Sequence, residues 1–468
     1  MRKLIKQLIV SLISFFIISH AVFAAVTDLD QSLNERVNKK YNIGIVVAII
    51  DAKGTHYYHA GNLSREPGAP IVDQGTLFPL ASVTKVFTTL LLADGVQRGL
   101  FKLTDPAQKY LTQVKLPTFG KNEITLEQLA THTSGLPSRL GTINENDPYI
   151  DLTQHGVYEL LSSYRLTRSP GKKYEYGDLS MGLLADAIST AENTPYESLI
   201  KSKITTLLGM SDTKVIASPD DTTILVSGYK ADDSVAAPYH FPVFQAAGAM
   251  YSTASDMIKF VGANAGIIQS NLYPAMKMTH IPRFSEGQPQ HDFDYPGTEK
   301  LEAGLGWNID THYNLVWKNG NISGFSSFIG FNRKTKQGVV VLANTGNVIY
   351  TDNLGMHILN NKVGLFPLYQ EIILSASRLR QFAGTYQMAD GTYYRFRVEG
   401  NHLKAQHITQ LQTSSYFNIY PKSPTQFFGR IADAVFRFSI TENGVMGFEL
   451  TEGGKTQRAL KTKALKRG

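Results

Sequence analysis

Residues 78–99 read FPLASVTKVFTTLLLADGVQRG, with Ser82-Val83-Thr84-Lys85 at the head of an apolar run. Val86, Phe87, Leu90, Leu91 and Val96 recur at three- and four-residue steps and Gly99 follows as a stop, so the stretch predicts a helix. Ser82 and Lys85 are three apart and share one helical face. A hydroxyl beside an amine at a helix N-terminus is a candidate activated nucleophile, because the amine can take the proton and the helix end favours negative charge on oxygen. The alternative is that Ser82 caps the helix and Lys85 is a solvated cation. Ser-x-x-Lys alone does not decide between them.

The surroundings narrow the choice. At 468 residues the chain exceeds one ordinary core, which predicts two or three domains. With 43% apolar and 18% charged residues it has a globular composition. Arg2, Lys3 and Lys6 precede the short apolar run 8–18, and Val22-Phe23-Ala24 ends in small residues, so residues 1–24 are expected to be a signal peptide. An uncleaved anchor is the alternative. Cleavage would lower the formal charge from +7 to +4 and leave no stable membrane span. Cysteine is absent, which excludes disulfides, thiol chemistry and cysteine-ligated metal. The expected location is periplasmic or secreted. No aromatic-basic stripe points to nucleic acid, and no cofactor is expected.

Outward from the helix, residues 28–40 are expected to be an amphipathic helix and 43–50 a buried strand. Asp51-Ala52-Lys53-Gly54 then turns the chain into a return strand, 55–60. His56 and His59 lie on that strand three apart, pointing to opposite faces, which suits surface packing better than metal. Helices are expected at 125–130 and 179–192, the latter with Asp178 as a possible N-cap. His132 is either a triad histidine or a loop brace; the lack of a G-x-S-x-G elbow favours the brace. Thr253 or Ser255 is expected to cap a helix near residue 254. Strands are expected at 315–318, 325–332 and 339–343, and a closing helix at 353–362. Strands from both ends therefore enclose an inserted helical block.

Beyond Pro367 the pattern changes to short alternating strands at 393–398, 403–406, 417–420, 435–440 and 448–450, a small antiparallel sheet or barrel. The expected domains are 25–364, a linker at 365–375, and a barrel at 376–468.

FPLASVTKVFTTLLL, ITLEQLATHTSGLP, PGKKYEYGDLSMGLLADAI, GAMYSTASDMIKF and WKNGNISGFSSFIGF occur in that order. Over residues 35–362 the chain thereby resembles the class C β-lactamase and D-alanyl-D-alanine carboxypeptidase family of serine hydrolases. The stretch from ASRLRQFAGTYQMADG onward resembles a barrel appendage of some members. The resemblance implies an α/β (α+β) fold: an antiparallel sheet flanked by helices with an inserted helical subdomain, plus a small all-β domain. It implies Ser82 as the acylated nucleophile, Lys85 receiving or relaying its proton, and Tyr176 as proton shuttle. Lys318 would supply positive charge, and the Ser82 and Asn321 backbone N–H groups an oxyanion hole. Crowding by Lys318 would make Lys85 a better base.

Two positions depart from the family pattern. Asp178 stands where the family has asparagine, and Asn319 where it has threonine; both belong to the expected substrate-binding set with Lys318 and Asn321. A carboxylate at 178 would favour the Lys85 ammonium and repel a substrate carboxylate, a pair about 4 Å apart being worth roughly 4 kcal/mol at an effective dielectric of 20. Asp178 escapes that role if it turns away as a cap or is protonated. Asn319 could offer its amide to a substrate carboxylate. The expected activity is that of an exported serine hydrolase forming an acyl-enzyme with an ester, amide or β-lactam. The substrate would be a small molecule or peptide, cell-wall material included. The alternative is a non-catalytic or single-turnover sensor of peptidoglycan or lactams.

Overall fold

The computed structural model describes residues 29–141, 144, 147–216, 226–237, 239–285, 301–410, 412–442 and 444–462. The expected signal peptide, residues 1–24, lies outside the described residues.

Helix α1 (29–38) precedes the β1–β2 hairpin (Gly44–Asp51, Gly54–Gly61). Ile45, Val46, Val47 and Ala48 are fully buried on both faces of β1, which explains an unbroken apolar run where alternation would mark a half-exposed strand. His56 and His59 are both exposed on β2. Helix α2 (Thr84–Gln97) follows, and its burial extends beyond the apolar positions. Thr84, Lys85, Thr88 and Thr89 are buried along with the apolar positions. Their polar groups are satisfied: Thr88 Oγ1 donates to the Ala246 carbonyl at 2.8 Å and Thr89 Oγ1 to that of Leu305 at 2.9 Å. Thus α2 is a buried central helix packed among the helices Asp178–Glu192, Gln245–Gly248 and Tyr273–Thr279.

Helices α3 (Leu126–Ala130), α4 (Asp178–Glu192) and α5 (Ala254–Asn264) come from the inserted region. Thr125 caps α3 through a capping box with Gln128, and Thr253 rather than Ser255 caps α5. The chain then returns through β3 (Leu301–Ala303), β4 (Asn308–Asp310), β5 (Leu315–Ile322), β6 (Phe325–Asn332) and β7 (Gln337–Ala343). The antiparallel sheet runs β2-β1-β7-β6-β5-β4-β3, so both ends of the region build it, as the sequence implies. Strand β5 is longer than expected, running unbroken through Asn319-Gly320-Asn321 because β6 pairs with it along its whole length. The closing helix α6 is Val348–Leu359, starting five residues before the expected 353.

Eight further strands between Gly384 and Thr462 form a closed barrel in sequential order. Sequence reading missed Gly384–Met388, Gln426–Gly429 and Lys455–Thr462. The last is KTQRALKT with only Ala459 buried, so its sequence carries almost no apolar signal. Tyr386, Phe396, Phe427, Phe438 and Phe448 fill the barrel. A second cluster, Tyr41, Tyr350, Tyr420 and Phe428, joins the barrel wall to α6 and to the end of α1.

Candidate functional site

Ser82 lies in a single 3₁₀ turn, Ala81–Val83, and the N-cap of α2 is Val83 with no side-chain cap bond. Ser82 is therefore not a helix cap. The turn starts from Ala81 at φ 48°, a left-handed conformation unfavourable for a residue with a Cβ. Lys85 Nζ donates to Ser82 Oγ at 3.0 Å and to the Ala247 carbonyl at 2.8 Å, and forms an ion pair with Asp178 Oδ1 at 2.7 Å. With the Tyr176 hydroxyl also hydrogen-bonded to it, the amine is surrounded by acceptors, an environment that suits an ammonium.

Tyr176 lies between both lysines, whose ammonium nitrogens are 4.8 Å (Lys85) and 4.6 Å (Lys318) from its ring centroid. The loop bearing it is held by His132, which sits at φ 58° and is buried. The Gly177 N–H donates to His132 Nδ1 at 3.3 Å, the Glu175 N–H donates to the His132 carbonyl at 2.7 Å, and the imidazole packs on the Tyr176 ring at 4.6 Å. His132 is thus a loop brace. Ser134, the other serine in this loop, is bonded to Ser180 Oγ at 3.0 Å and is buried.

Asp178 corrects two expectations. Gly177 is the N-cap of α4 and Asp178 its first residue, and the carboxylate makes no cap bond. It receives Lys85 on one oxygen and the Tyr149 hydroxyl on the other. Burial would raise its pKa, but Lys85 and the Tyr149 hydrogen bond hold it below the usual carboxylate value, so it is ionised. It is neither a cap nor a protonated acid.

This arrangement sets the other charges. Burial pulls Lys85 down, yet attraction to Asp178 and Tyr176 leaves its pKa above the ordinary lysine value. At Lys85 the neighbouring carboxylate thus works against the crowding by Lys318 and favours the ammonium form. At Lys318 burial and the Lys85 charge do lower the pKa. Burial pushes the Tyr176 phenol up, but Lys318 and Lys85 outweigh it and bring the pKa below that of free tyrosine. The two cations therefore favour the ionised form of this phenol.

Strand β5 presents Lys318 and the backbone beside Ser82. Strand β4 pairs with β5 only as far as Trp317, so among the described residues the β5 edge from Lys318 onward has no strand neighbour on that side. Gly320 lets this edge approach the serine turn: a Cβ there would lie 2.3 Å from the Leu80 carbonyl oxygen and 3.0 Å from the Ser82 amide nitrogen. Ser327 Oγ also donates to the Leu80 carbonyl, at 2.8 Å. Asn321 follows on the same edge with its side chain exposed. Asn319 points elsewhere. Its amide donates to Asp352 Oδ2 on α6 at 2.6 Å, so the expected amide contact with substrate is corrected to a contact behind the sheet. Tyr149, 29 residues upstream of its partner, was missed, since nothing in local spacing links it to Asp178.

Comparison with known proteins bears on this cluster. A family model described as Beta-lactamase matches residues 29–352. The D-alanyl-D-alanine-carboxypeptidase/endopeptidase AmpH of Escherichia coli (strain K12) is 29% identical over 297 residues, 61% of this chain and 75% of the relative. A Beta-lactamase of Pseudomonas fluorescens is 26% identical over 345 residues, 68% of this chain and 92% of the relative. Among solved structures, the octameric penicillin-binding protein homologue from Pyrococcus abyssi has a TM-score of 0.64 at 21% identity, covering 93% of this chain and 99% of that one. A Beta-Lactamase/D-Alanine Carboxypeptidase from Pseudomonas syringae has a TM-score of 0.61 at 22% identity, over 73% and 99%.

Proposed function

The chain belongs to the beta-lactamase family and is a serine hydrolase, and from that premise we propose that it is an exported enzyme that works through an acyl-enzyme on Ser82. The observation that carries the reading is Ser82 Oγ 3.0 Å from an ammonium, within a cluster whose phenol is flanked by two cations.

In this reading Lys85 stays an ammonium. It orients Ser82 Oγ and holds the phenolate form of Tyr176, which takes the serine proton as the oxygen attacks the substrate carbonyl. The tetrahedral oxyanion is received by the backbone N–H groups of Ser82 and Asn321; one such donor is typically worth about 2.7–4 kcal/mol of barrier. Tyr176 then returns the proton to the leaving group. The phenolate so regenerated activates a water for deacylation. Lys318 keeps the phenol acidic and attracts anionic groups.

The substrate is an ester, amide or lactam, a range that includes the chemistries named for the relatives. The repulsion expected from Asp178 is reduced, because Lys85 neutralises it at contact distance. Export rests on the basic and apolar pattern of residues 1–24, with the mature protein periplasmic or secreted. The functional units are 25–364, a linker at 365–375 and the barrel at 376–468.

The test is labelling by a fluorescent phosphonate followed by turnover of a chromogenic ester. Wild type and Ser134→Ala should label and turn over repeatedly, while Ser82→Ala should do neither. Equal labelling of the two variants would refute Ser82 as nucleophile. One equivalent of acylation without further turnover would favour a sensor.

A further inference from the structure

Granted the acyl-enzyme site at Ser82, we propose that Tyr149 is a positioning residue for the reaction: its hydroxyl fixes the Asp178 carboxylate that holds Lys85 beside the serine.

The relay is a chain of direct contacts. The Tyr149 hydroxyl donates to Asp178 Oδ2, Asp178 Oδ1 pairs with Lys85 Nζ at 2.7 Å, and Lys85 Nζ donates to Ser82 Oγ at 3.0 Å. The χ2 torsion of an aspartate is soft, so a carboxylate held by one oxygen swings and one held by both does not. Asp178 makes no cap bond to its own helix, and Tyr149 occupies its second oxygen.

The surroundings of Tyr149 aim that hydroxyl. The residue is 1% exposed, and the rings of Tyr239, Phe241 and Phe244 pack on it with centroids at 5.9, 5.8 and 5.4 Å. The His240 N–H donates to Asp147 Oδ1 at 3.1 Å, and His240 Nδ1 meets Asp147 Oδ2. Asp147 stands two residues before Tyr149, and His240 lies between Tyr239 and Phe241, so this pair ties the tyrosine to the segment whose rings enclose it. That segment runs on to Ala247, whose carbonyl accepts from Lys85 at 2.8 Å. One packed unit thus presents two of the acceptors of Lys85. Core filling accounts for the ring but not for the hydroxyl, which phenylalanine would do without. Burial and the neighbouring carboxylate push the Tyr149 phenol far above its ordinary pKa, so it remains a donor.

The donated hydrogen also offsets part of the Asp178 charge. Burial and that charge oppose ionisation of the Tyr176 phenol, whereas Lys318 and Lys85 favour it. The other titratable groups nearby do not compete. His132 is kept neutral by burial and by the two lysines, and burial keeps Tyr174 protonated. Arg139 and Tyr239 face Tyr149 itself and are unchanged by removal of its hydroxyl. Loss of the Tyr149 O–H therefore leaves Tyr176 facing a less screened anion.

The full-length protein is assayed on a neutral p-nitrophenyl ester from pH 5 to 10. Tyr149→Phe keeps the ring and should lower kcat about tenfold at neutral pH with little change in KM. The acid limb of kcat/KM should move to higher pH. In the Asp178→Asn background, where no charge is left to screen, Tyr149→Phe should leave the limb in place and cost much less in kcat. A defect of packing alone would lower kcat equally in both backgrounds and move the limb in neither, and either result overturns the proposal. Tyr149→3-fluorotyrosine, introduced by amber suppression, keeps the ring and strengthens the donor, so its limb should move to lower pH; a shift upward or none also overturns it. Ser82→Ala separates the two levels. If it is inactive while the Tyr149→Phe limb matches wild type, only the positioning role fails; if it hydrolyses the ester at the wild-type rate, the acyl-enzyme reading fails.

Discussion

Lys85 Nζ lies 2.7 Å from Asp178 Oδ1, an ion pair at the position where the family carries asparagine. Removing the charge while keeping the shape should loosen the hold on Lys85 and restore the family's neutral side chain. Asp178→Asn is therefore expected to raise kcat/KM on nitrocefin relative to a neutral p-nitrophenyl ester. An unchanged ratio in paired steady-state assays would mean that the carboxylate has no say in substrate choice.

The same pair makes a signed prediction for pH. The Asp178 charge raises the Tyr176 phenol, whereas Lys318 and Lys85 lower it. If the phenolate is the base, kcat/KM rises with pH through the Tyr176 pKa. Asp178→Asn should shift that acid limb to lower pH, since an anion opposing phenol ionisation is gone. Lys318→Met should shift it to higher pH and cut the rate at neutrality, since a cation favouring ionisation is gone. Profiles of kcat/KM from pH 5 to 10 on a neutral ester test both signs at once; a shift of both variants in one direction rules out Tyr176 as the titrating base.

What could be read from the sequence follows from how local each signal is. Ser82, Lys85 and the sheet strands lie in short runs whose periodicity and composition are set by burial, so the fold and the helix that carries Lys85 were readable. The loop-brace role of His132 was readable too, because the sequence lacks the G-x-S-x-G elbow that would accompany a triad histidine. The state of Lys85 was not. It depends on whether Lys318 or Asp178 wins, and that balance is set by a 2.7 Å contact between segments 93 residues apart in sequence. Asn319 misled for a related reason: strand alternation gives it to one face, but only the packing of α6 reveals that this face holds Asp352. The last barrel strand, KTQRALKT, was unreadable because only barrel closure, not apolar content, specifies it.

Gly320 carries a steric prediction for the oxyanion hole. A methyl group at this position meets the Leu80 carbonyl oxygen at 2.3 Å and the Ser82 amide at 3.0 Å, both backbone atoms that cannot rotate aside. Gly320→Ala must push β5 away from the serine turn and separate the two N–H donors. The expected result is a loss of about 10²–10³-fold in kcat with a smaller change in KM, the signature of a group acting on the transition state. Phosphonate labelling should slow in parallel while the far-ultraviolet dichroism stays native. A variant with wild-type kcat would show that this strand edge does not form the hole.

Arg430 carries the prediction for the barrel. It is 1% exposed, its guanidinium lies 3.8 Å from the Tyr420 ring centroid, and it pairs with Glu371 at 3.0 Å and Asp233 at 3.4 Å. Asp233 also pairs with Arg65 at 2.5 Å, and Tyr420 donates to the Ala231 carbonyl at 3.1 Å. The barrel thereby grips the 229–236 segment, whose Tyr229 N–H donates to the Gly324 carbonyl at 3.1 Å, in the turn that leaves β5. Arg430 is buried whereas Asp233 and Glu371 are partly exposed, so removing the guanidinium costs less than breaking a fully buried pair but still leaves two carboxylates with a lost partner. Arg430→Met should lower the melting temperature. Asp233→Asn in that background should cost less than it does alone, because the two share one network. Arg430→Lys should rescue only in part, because an ammonium lacks the planar face that stacks on Tyr420 and the forked geometry that spans the two carboxylates. Strict additivity of the two losses in denaturant melts would show that barrel and segment are held by the aromatic cluster instead.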